Sequence, residues 1–451
     1  MQVDEEQKPN LFAGYHREWS PGIHTLLLGA RLNDTLSVAE PAAFIPTLVR
    51  DTSGALTGQV SPPFSQFDLN YRSEFDAWSG ELQQIVQRSA HTLVAGVRYQ
   101  AGETETRAVL ERDPFAFPPV FGNPAAAQDF TADVERATAY AYHHWRILEP
   151  LSLIAGVSYD HLRFPENSDL PPLRPGEATE EQLSPKAGIV WAPTSSTSVR
   201  GAWTRSLGGV FYDSSVRLEP TQVAGFIQTY RNLIPESISG SVPGTEFETI
   251  HFGFEHKFPT RTYLLVQGEW LRSDGKRWVG VFDYTDSPPF VAIPSSTRQQ
   301  LDFDEKTLAL GLHQLIGTEW ALGSRYRLSR AELETEFTAL PQSVIPDAEH
   351  DQRATLHELT IFAIWQHAAG FFARGETVWR SQTQHDSITS LPDEDFWHFN
   401  LLGGFRFAQR RVEISVGLLN LTDQDYRLNP VNAFVEVPRD RTFVASVRLN
   451  F

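Results

Sequence analysis

The sequence predicts an all-β fold, a single large antiparallel transmembrane β-barrel. Three observations predict it. Side chains alternate apolar and polar with period two, connections alternate between short turns and long loops, and helical periodicity is sustained nowhere. About seventeen strands can be counted, with short periplasmic turns and long extracellular loops.

Successive side chains of a strand point to opposite faces, so an apolar set at every second position gives one apolar side. Leu93, Ala95, Val97 and Tyr99 oppose Thr92, Gly96, Arg98 and Gln100. Leu151, Leu153, Ala155, Val157 and Tyr159 oppose Ser152, Ser158 and Asp160. Ile250, Phe252, Phe254 and Phe258 oppose His251, Gly253, Glu255 and Lys257. Val412, Ile414, Val416 and Leu418 oppose Arg411, Glu413 and Ser415. The last strand places Phe443, Ala445, Val447, Leu449 and Phe451 on one face, with Thr442, Ser446, Arg448 and Asn450 on the other.

Tight turns are expected near Ser20-Pro21-Gly22, Ser89-Ala90-His91, Leu148-Glu149-Pro150, 192–197, Phe258-Pro259-Thr260, Ile316-Gly317-Thr318, 367–370 and Gln409-Arg410. Between them lie long polar stretches over 39–63, 112–127, 167–181, 211–244, 285–296, 339–351, 387–394 and 428–438. Loops sorted by length to the two ends describe an outer-membrane barrel, and no blade-length repeat suggests a propeller. Strands over 64–88, 91–111, 261–284 and 318–338 exceed the ~9–11 residues that cross a bilayer and should project beyond it. An odd strand count makes the first and last strands parallel, so the expectation is that at least one strand upstream of this sequence completes the barrel. Residues 1–9 are expected to be a remnant or linker, and 10–451 the barrel.

Composition agrees. With no cysteine, disulfide scaffolds, thiolate metal sites and thiol catalysis are excluded. The net charge of -18 speaks against a nucleic-acid-binding surface. No run approaches the ~20 apolar residues of a spanning helix. The opening MQVDEEQKPN lacks the basic and apolar regions of a signal peptide, so the expectation is that such a signal was removed or lies upstream. Trp19, Trp145, Trp191, Trp320, Trp365 and Phe258 fall near the short turns, where an interfacial aromatic girdle would lie.

The stretch VGLLNLTDQDYRLNP followed by VPRDRTFVASVRLNF resembles the end of TonB-dependent outer-membrane receptors. It carries their Asn-Leu-x-Asp-x-x-Tyr pattern as Asn420, Leu421, Asp423 and Tyr426, then Pro438, Arg439 and Phe443, and a terminal Phe451. The hairpin Leu183-Ser184-Pro185-Lys186-Ala187-Gly188 with Trp191, then Val199 to Ser206, resembles a mid-barrel hairpin of the same receptors. The resemblance implies an outer-membrane location, contact with lipid and lipopolysaccharide, and a closing strand read by the barrel-assembly machinery through Phe443, Val447, Leu449 and Phe451. It also implies TonB as a partner, but only if a plug domain of the family's kind lies upstream. The opening segment 9–32 looks more like plugless relatives that follow other domains, including helical repeats.

No catalytic constellation is legible, so neither enzyme activity nor a cofactor is expected. There is no Gly-x-Ser-x-Gly elbow and no His-Glu-x-x-His helix. His143 and His144 lie in one strand and should face opposite ways, as should His251 and His256. Tyr71 to Glu74 and Arg325 to Arg327 read as wall residues of a polar lumen. Acids cluster at Asp283, Asp286, Asp302, Asp304 and Glu305, at Asp347, Glu349 and Asp351, and at Asp386, Asp393, Glu394 and Asp395. They read as solvated outer loops, with divalent cations bridging lipopolysaccharide as the sharper alternative and no metal site assigned. Three functions remain open: uptake of a large solute such as a siderophore, vitamin or glycan; an anchor for an upstream periplasmic or repeat domain; and a passive pore constricted by loop 211–244.

Overall fold

A computed structural model describes residues 2–8, 10–60, 66–111, 125–209, 216–228, 242–288, 291–386, 393–407, 411–426, 428 and 440–449. The strands are β1 (Gln2–Glu6), β2 (Leu11–Ser20), β3 (Ile23–Phe44), β4 (Thr47–Arg50), β5 (Leu56–Gln59), β6 (Gln66–Arg88), β7 (His91–Glu111) and β8 (Ala126–Leu148). They continue as β9 (Leu151–Asn167), β10 (Arg174–Thr194), β11 (Thr197–Leu207), β12 (Gln222–Val223), β13 (Phe226–Ile227), β14 (Glu246–Lys257) and β15 (Thr262–Thr285). The last are β16 (Ala292–Ile316), β17 (Trp320–Glu336), β18 (Glu349–Gln366), β19 (Phe371–Asp386), β20 (Glu394–Phe407), β21 (Val412–Leu419) and β22 (Thr442–Leu449).

Twenty of these strands share one sheet. The hairpin β4–β5 belongs to a loop, and β1 and β2 lie end to end along β3, at Thr35 to Ala39 and at Ile23 to Arg31. That leaves seventeen staves in chain order, each antiparallel to the next, matching the count read from alternation. Residues 1–9 are therefore not simply a linker. Gln2–Glu6 is a strand, because its backbone groups pair with Thr35–Ala39 of β3. With an odd number of staves the first and last run in the same direction. Among the described residues no ladder joins β22 to β1 or β2.

Among the described residues the short turns fall where expected; Gln409-Arg410 lies outside them. Pro21 and Gly22 connect β2 to β3, with Gly22 at φ 81°, and a Cβ there would sit 2.7 Å from the Gln87 carbonyl oxygen. Proline then glycine at the two central positions is the type II pattern, which leaves no room for another residue. At the opposite end the connections are long, and several strands overrun the membrane. β15 is 24 residues and β16 is 25.

Burial alternates along most staves, though not along the exposed β1 and β2, and separates a lumen face from an outer face. On β16 Leu301, Phe303 and Ala309 are buried, while Leu308, Leu310 and Leu312 are exposed. An exposed apolar band of this kind is stable only in lipid. Asp302, Asp304 and Glu305 lie within β16, so they belong to the wall and not to a loop, a correction to the loop reading.

Candidate functional site: the barrel lumen

The site is the lumen itself, which the chain crosses at two levels. At the extracellular end three loops meet over the mouth. After β3 the chain crosses from the second stave to the tenth, where Thr47–Arg50 adds a parallel ladder to Phe282–Thr285 of β15. Phe67 of β6 stacks on Phe282 at 4.9 Å between ring centroids, and Ile45, Leu110 and Ala126 complete that apolar cluster. Leu48 and Val281 pack with Ile345 and Ala348, from the connection between β17 and β18. Arg50 pairs with Asp283 at 2.5 Å. The loop between β9 and β10 closes the remaining side. Its Leu170 carbonyl accepts from Gly280 N–H at 3.0 Å, Leu173 exchanges two bonds with Gln128, and Ser168 O accepts from Tyr71. Opposite walls of the barrel are thus in contact at the mouth.

Below this cap lies a strap, residues 216–228, part of the loop between β11 and β14. It turns inward and runs down the lumen wall. Its hairpin β12–β13 closes on Ala224 and Gly225, both at positive φ (51° and 82°), the pair of values a two-residue type I′ turn requires. The tip reaches the level of Arg200 and Gly253. Phe226 stacks on His251 at 4.9 Å and lies under the Arg200 guanidinium, 5.2 Å from the ring centroid. Arg200 is seven residues below Leu207, so the strap descends roughly 23 Å along the strand at ~3.3 Å per residue.

Side chains of the wall fasten it. Glu81 on β6 accepts Leu218 N–H at 2.7 Å and Glu219 N–H at 2.9 Å, and also the Tyr140 hydroxyl at 2.7 Å. Gln83, two residues along the same face, donates to the Leu218 carbonyl at 2.6 Å. The Tyr142 hydroxyl donates to Glu219 at 2.6 Å and accepts from Gln228 at 2.9 Å. Where the loop leaves β11, the buried pair Arg136–Asp160 (2.8 Å) holds the Leu207 carbonyl through Arg136. Glycines on the lumen face make the seat: a Cβ on Gly188 would lie 2.8 Å from Val223 Cγ1, and one on Gly253 would lie 2.9 Å from Phe226 Cζ. Gly188 and Lys186 belong to the hairpin singled out in the sequence, and its β10 face is part of the wall against which the strap rests.

The expected interfacial residues divide as parity requires. Trp19, Trp145, Trp191 and Trp320 are exposed at the short-turn ends of their staves. Trp320 pairs across strands with Trp365, rings 6.3 Å apart. Exposed Trp145 stacks on His91, which is hydrogen-bonded to His143. His251 stacks on the strap, whereas His256 bonds Thr197 beyond it. Arg327 reaches Glu305 across the lumen face, but Tyr326 bonds His357 on the outer face, as do Arg72 and Glu74 with each other. Only alternate members of those two segments therefore line the lumen.

Asn420 has φ 48°, and its side chain accepts Gln424 N–H and donates to the Gln424 carbonyl, both at 2.9 Å. Asp423 accepts Arg441 N–H at 2.9 Å, which leads the chain into β22. Leu421 is exposed, and Tyr426 is buried against Phe396, rings 4.6 Å apart. These four residues thus form a structural turn. Phe443, Val447 and Leu449 of β22 are exposed on one face. Pro438, Arg439 and Phe451 lie outside the described residues. Among the described residues no three potential metal ligands come together.

Two groups escaped the sequence. The fastening set Glu81, Tyr140, Tyr142, Glu219 and Gln228 depends on a loop finding a wall more than seventy residues away. The upper aromatics Trp203, Trp270, Trp379 and Trp397 had a signal: on β15 the outer parity changes from Leu264, Val266 and Gly268 to Arg272 and Asp274 just past Trp270.

A membrane-spanning antiparallel sheet with an apolar outer band defines an outer-membrane β-barrel. A family model described as TonB dependent receptor-like, beta-barrel, matches residues 7–240, and the chain belongs to that family, whose place is the bacterial outer membrane. Solved structures share the fold at low identity. The copper transporter OprC matches at 15% identity and TM-score 0.57, with 100% of this chain on 66% of that one. The ferric citrate transporter FecA matches at 12% and 0.58 (100% on 62%), and the siderophore receptor PiuA from Acinetobacter baumannii at 12% and 0.53 (99% on 64%). The chain thus spans just under two thirds of the length of these proteins. No curated protein sequence matches it.

Proposed function

We propose that this barrel takes part in the uptake of a solute too large for passive pores, of the siderophore, vitamin or glycan class. The observation that carries the reading is the lumen: chain segments cross it at the mouth and again below. A passive pore depends on a standing aqueous path, whereas a receptor opens one on demand. Membership of the receptor-like family and likeness in fold to copper, ferric citrate and siderophore proteins support the same reading. The exposed tryptophans at the short-turn ends would seat the barrel at the inner interface, and β22 would present Phe443, Val447 and Leu449 to lipid and to the assembly machinery. Lipopolysaccharide would meet the charged collar above Trp270. TonB would act through a plug domain, where one accompanies the barrel.

The filled lumen also favours one rival, an anchor that holds an attached domain in the outer membrane and moves no solute. Uptake of labelled ferric citrate, a ferric catecholate, copper and cobalamin by cells with and without this protein separates the two. Loss of one uptake on deletion is the expected result. Equal uptake of all four, with loss of an attached domain from the membrane fraction, sinks the transport reading.

A further inference from the structure

The cap and the strap obstruct the lumen with different chemistry. The cap is held by a backbone ladder and two apolar clusters. Among the described residues the strap forms no ladder with the wall: side-chain hydrogen bonds hold its upper part, and an apolar cluster of Val223, Ala224 and Phe226 with Tyr140, Tyr142, Ile154 and Ala202 seats its tip, a hairpin with two residues in each strand. Its acceptor on the wall, Glu81, is one carboxylate shared by two strap amides and Tyr140. Such contacts exchange readily for water, because a hydrogen bond to water replaces each one at small net cost. The cap's ladder ties its backbone to the wall, whereas apolar burial opposes release of the strap only at its tip cluster.

We propose that residues 216–228 form a displaceable internal gate, released from the Glu81–Tyr140–Tyr142 wall as a unit while barrel and cap stay folded. Gly188 and Gly253 leave recesses for Val223 and Phe226, and the Ala224–Gly225 turn sets the tip. Release would withdraw Phe226 from between the His251 imidazole and the guanidinium of Arg200, which pairs with Glu255, and open that part of the wall to an entering solute.

The chain has no cysteine, so Val223→Cys gives a single thiol at a fully buried strap position. In outer-membrane vesicles holding the full chain, reaction of this thiol with fluorescein maleimide measures exposure of the tip. The expected result is slow labelling without denaturant, accelerated about tenfold or more by Glu81→Gln or Tyr142→Phe. The control is Val281→Cys in the cap, which is equally buried and should stay unreactive in both variants. Amide exchange over 218–228 in chains without an added cysteine gives a second readout if Val223→Cys misfolds. Unchanged labelling and exchange in both wall variants overturns the proposal. Equal acceleration at Val281 does so as well, since the barrel would then be loosening as a whole. No solute enters this experiment, so its failure leaves the uptake reading standing, and the reverse holds.

Discussion

The Tyr142 hydroxyl, from the eighth strand, donates to the Glu219 carboxylate of the strap at 2.6 Å, and both residues are buried. The bond joins two parts of the chain 77 residues apart across the lumen. Tyr142→Phe removes the donor to Glu219 and the acceptor of Gln228. An unsatisfied buried partner costs ~1–3 kcal/mol, so the strap should lose roughly that much of its hold. Amide exchange over 218–228 should quicken while β16 stays protected; equal protection in both forms would show that the bond is idle.

Gly280→Ala tests the cap separately. Its Cβ would fall among backbone atoms of Pro171 and Pro172, which have no rotamer to yield. The loop 168–173 should lift away at a cost of ~1–3 kcal/mol for an overpacked site. Faster proteolysis within 168–173, with the strap unchanged, is the expected outcome, and an unaltered cleavage pattern refutes it.

Leu310→Arg and Thr307→Arg form a pair that tests which face meets lipid. Leu310 is exposed on the outer band, and Thr307 faces the lumen, bonded to Ser329. A charge at the bilayer midplane of a barrel's outer face costs ~2–4 kcal/mol. Urea titration of refolding into liposomes should show that loss for Leu310→Arg, and a smaller one for the lumen variant if the cation finds water or Glu305. Similar losses at the two sites would contradict the assigned faces.

Asn420→Ala should weaken the turn that leads into β22. It removes two side-chain bonds to Gln424 and leaves a Cβ residue at φ 48° without compensation. A loss of ~1–3 kcal/mol is expected from such a site. The fraction of folded barrel on unboiled gels should fall, whereas Leu421→Ala, at an exposed position, should leave it unchanged.

Asp51 sits in an extracellular loop, and the Ser53 hydroxyl and then the Ala55 amide hold its carboxyl below the ordinary 3.8. A depressed carboxylate contributes stability above its unfolded pKa and loses it as pH falls through the folded one. Protection of the Ser53 and Ala55 amides should therefore hold from pH 7 down to about 4 and fail only below that. Loss of protection already at pH 5 would contradict the assignment.

Alternation and turn chemistry made the wall legible: Leu93 to Gln100 or Leu151 to Asp160 can adopt only one strand register that buries one face. The same logic located Trp19, Trp145, Trp191, Trp320 and Trp365 at one rim. It failed where distant segments meet. Nothing local to Val223 or Phe226 says that Gly188 and Gly253 leave room for them. Gln2–Glu6 was missed for a related reason, since QVDEE has no apolar alternation and is a strand only because β3 offers a free edge. Asn420, Leu421, Asp423 and Tyr426 were found through the family pattern, and their geometry explains it as a turn.

The overlong strands set a height. From Trp270 to Phe282 is twelve residues, about 40 Å along β15 at ~3.3 Å per residue, and about 30 Å above the outer aromatic ring once a 35–45° tilt is allowed for. The apolar contact between Phe67 and Phe282 therefore stands well clear of the bilayer. A solute would meet its first barrier there, before it reached the plane of the membrane.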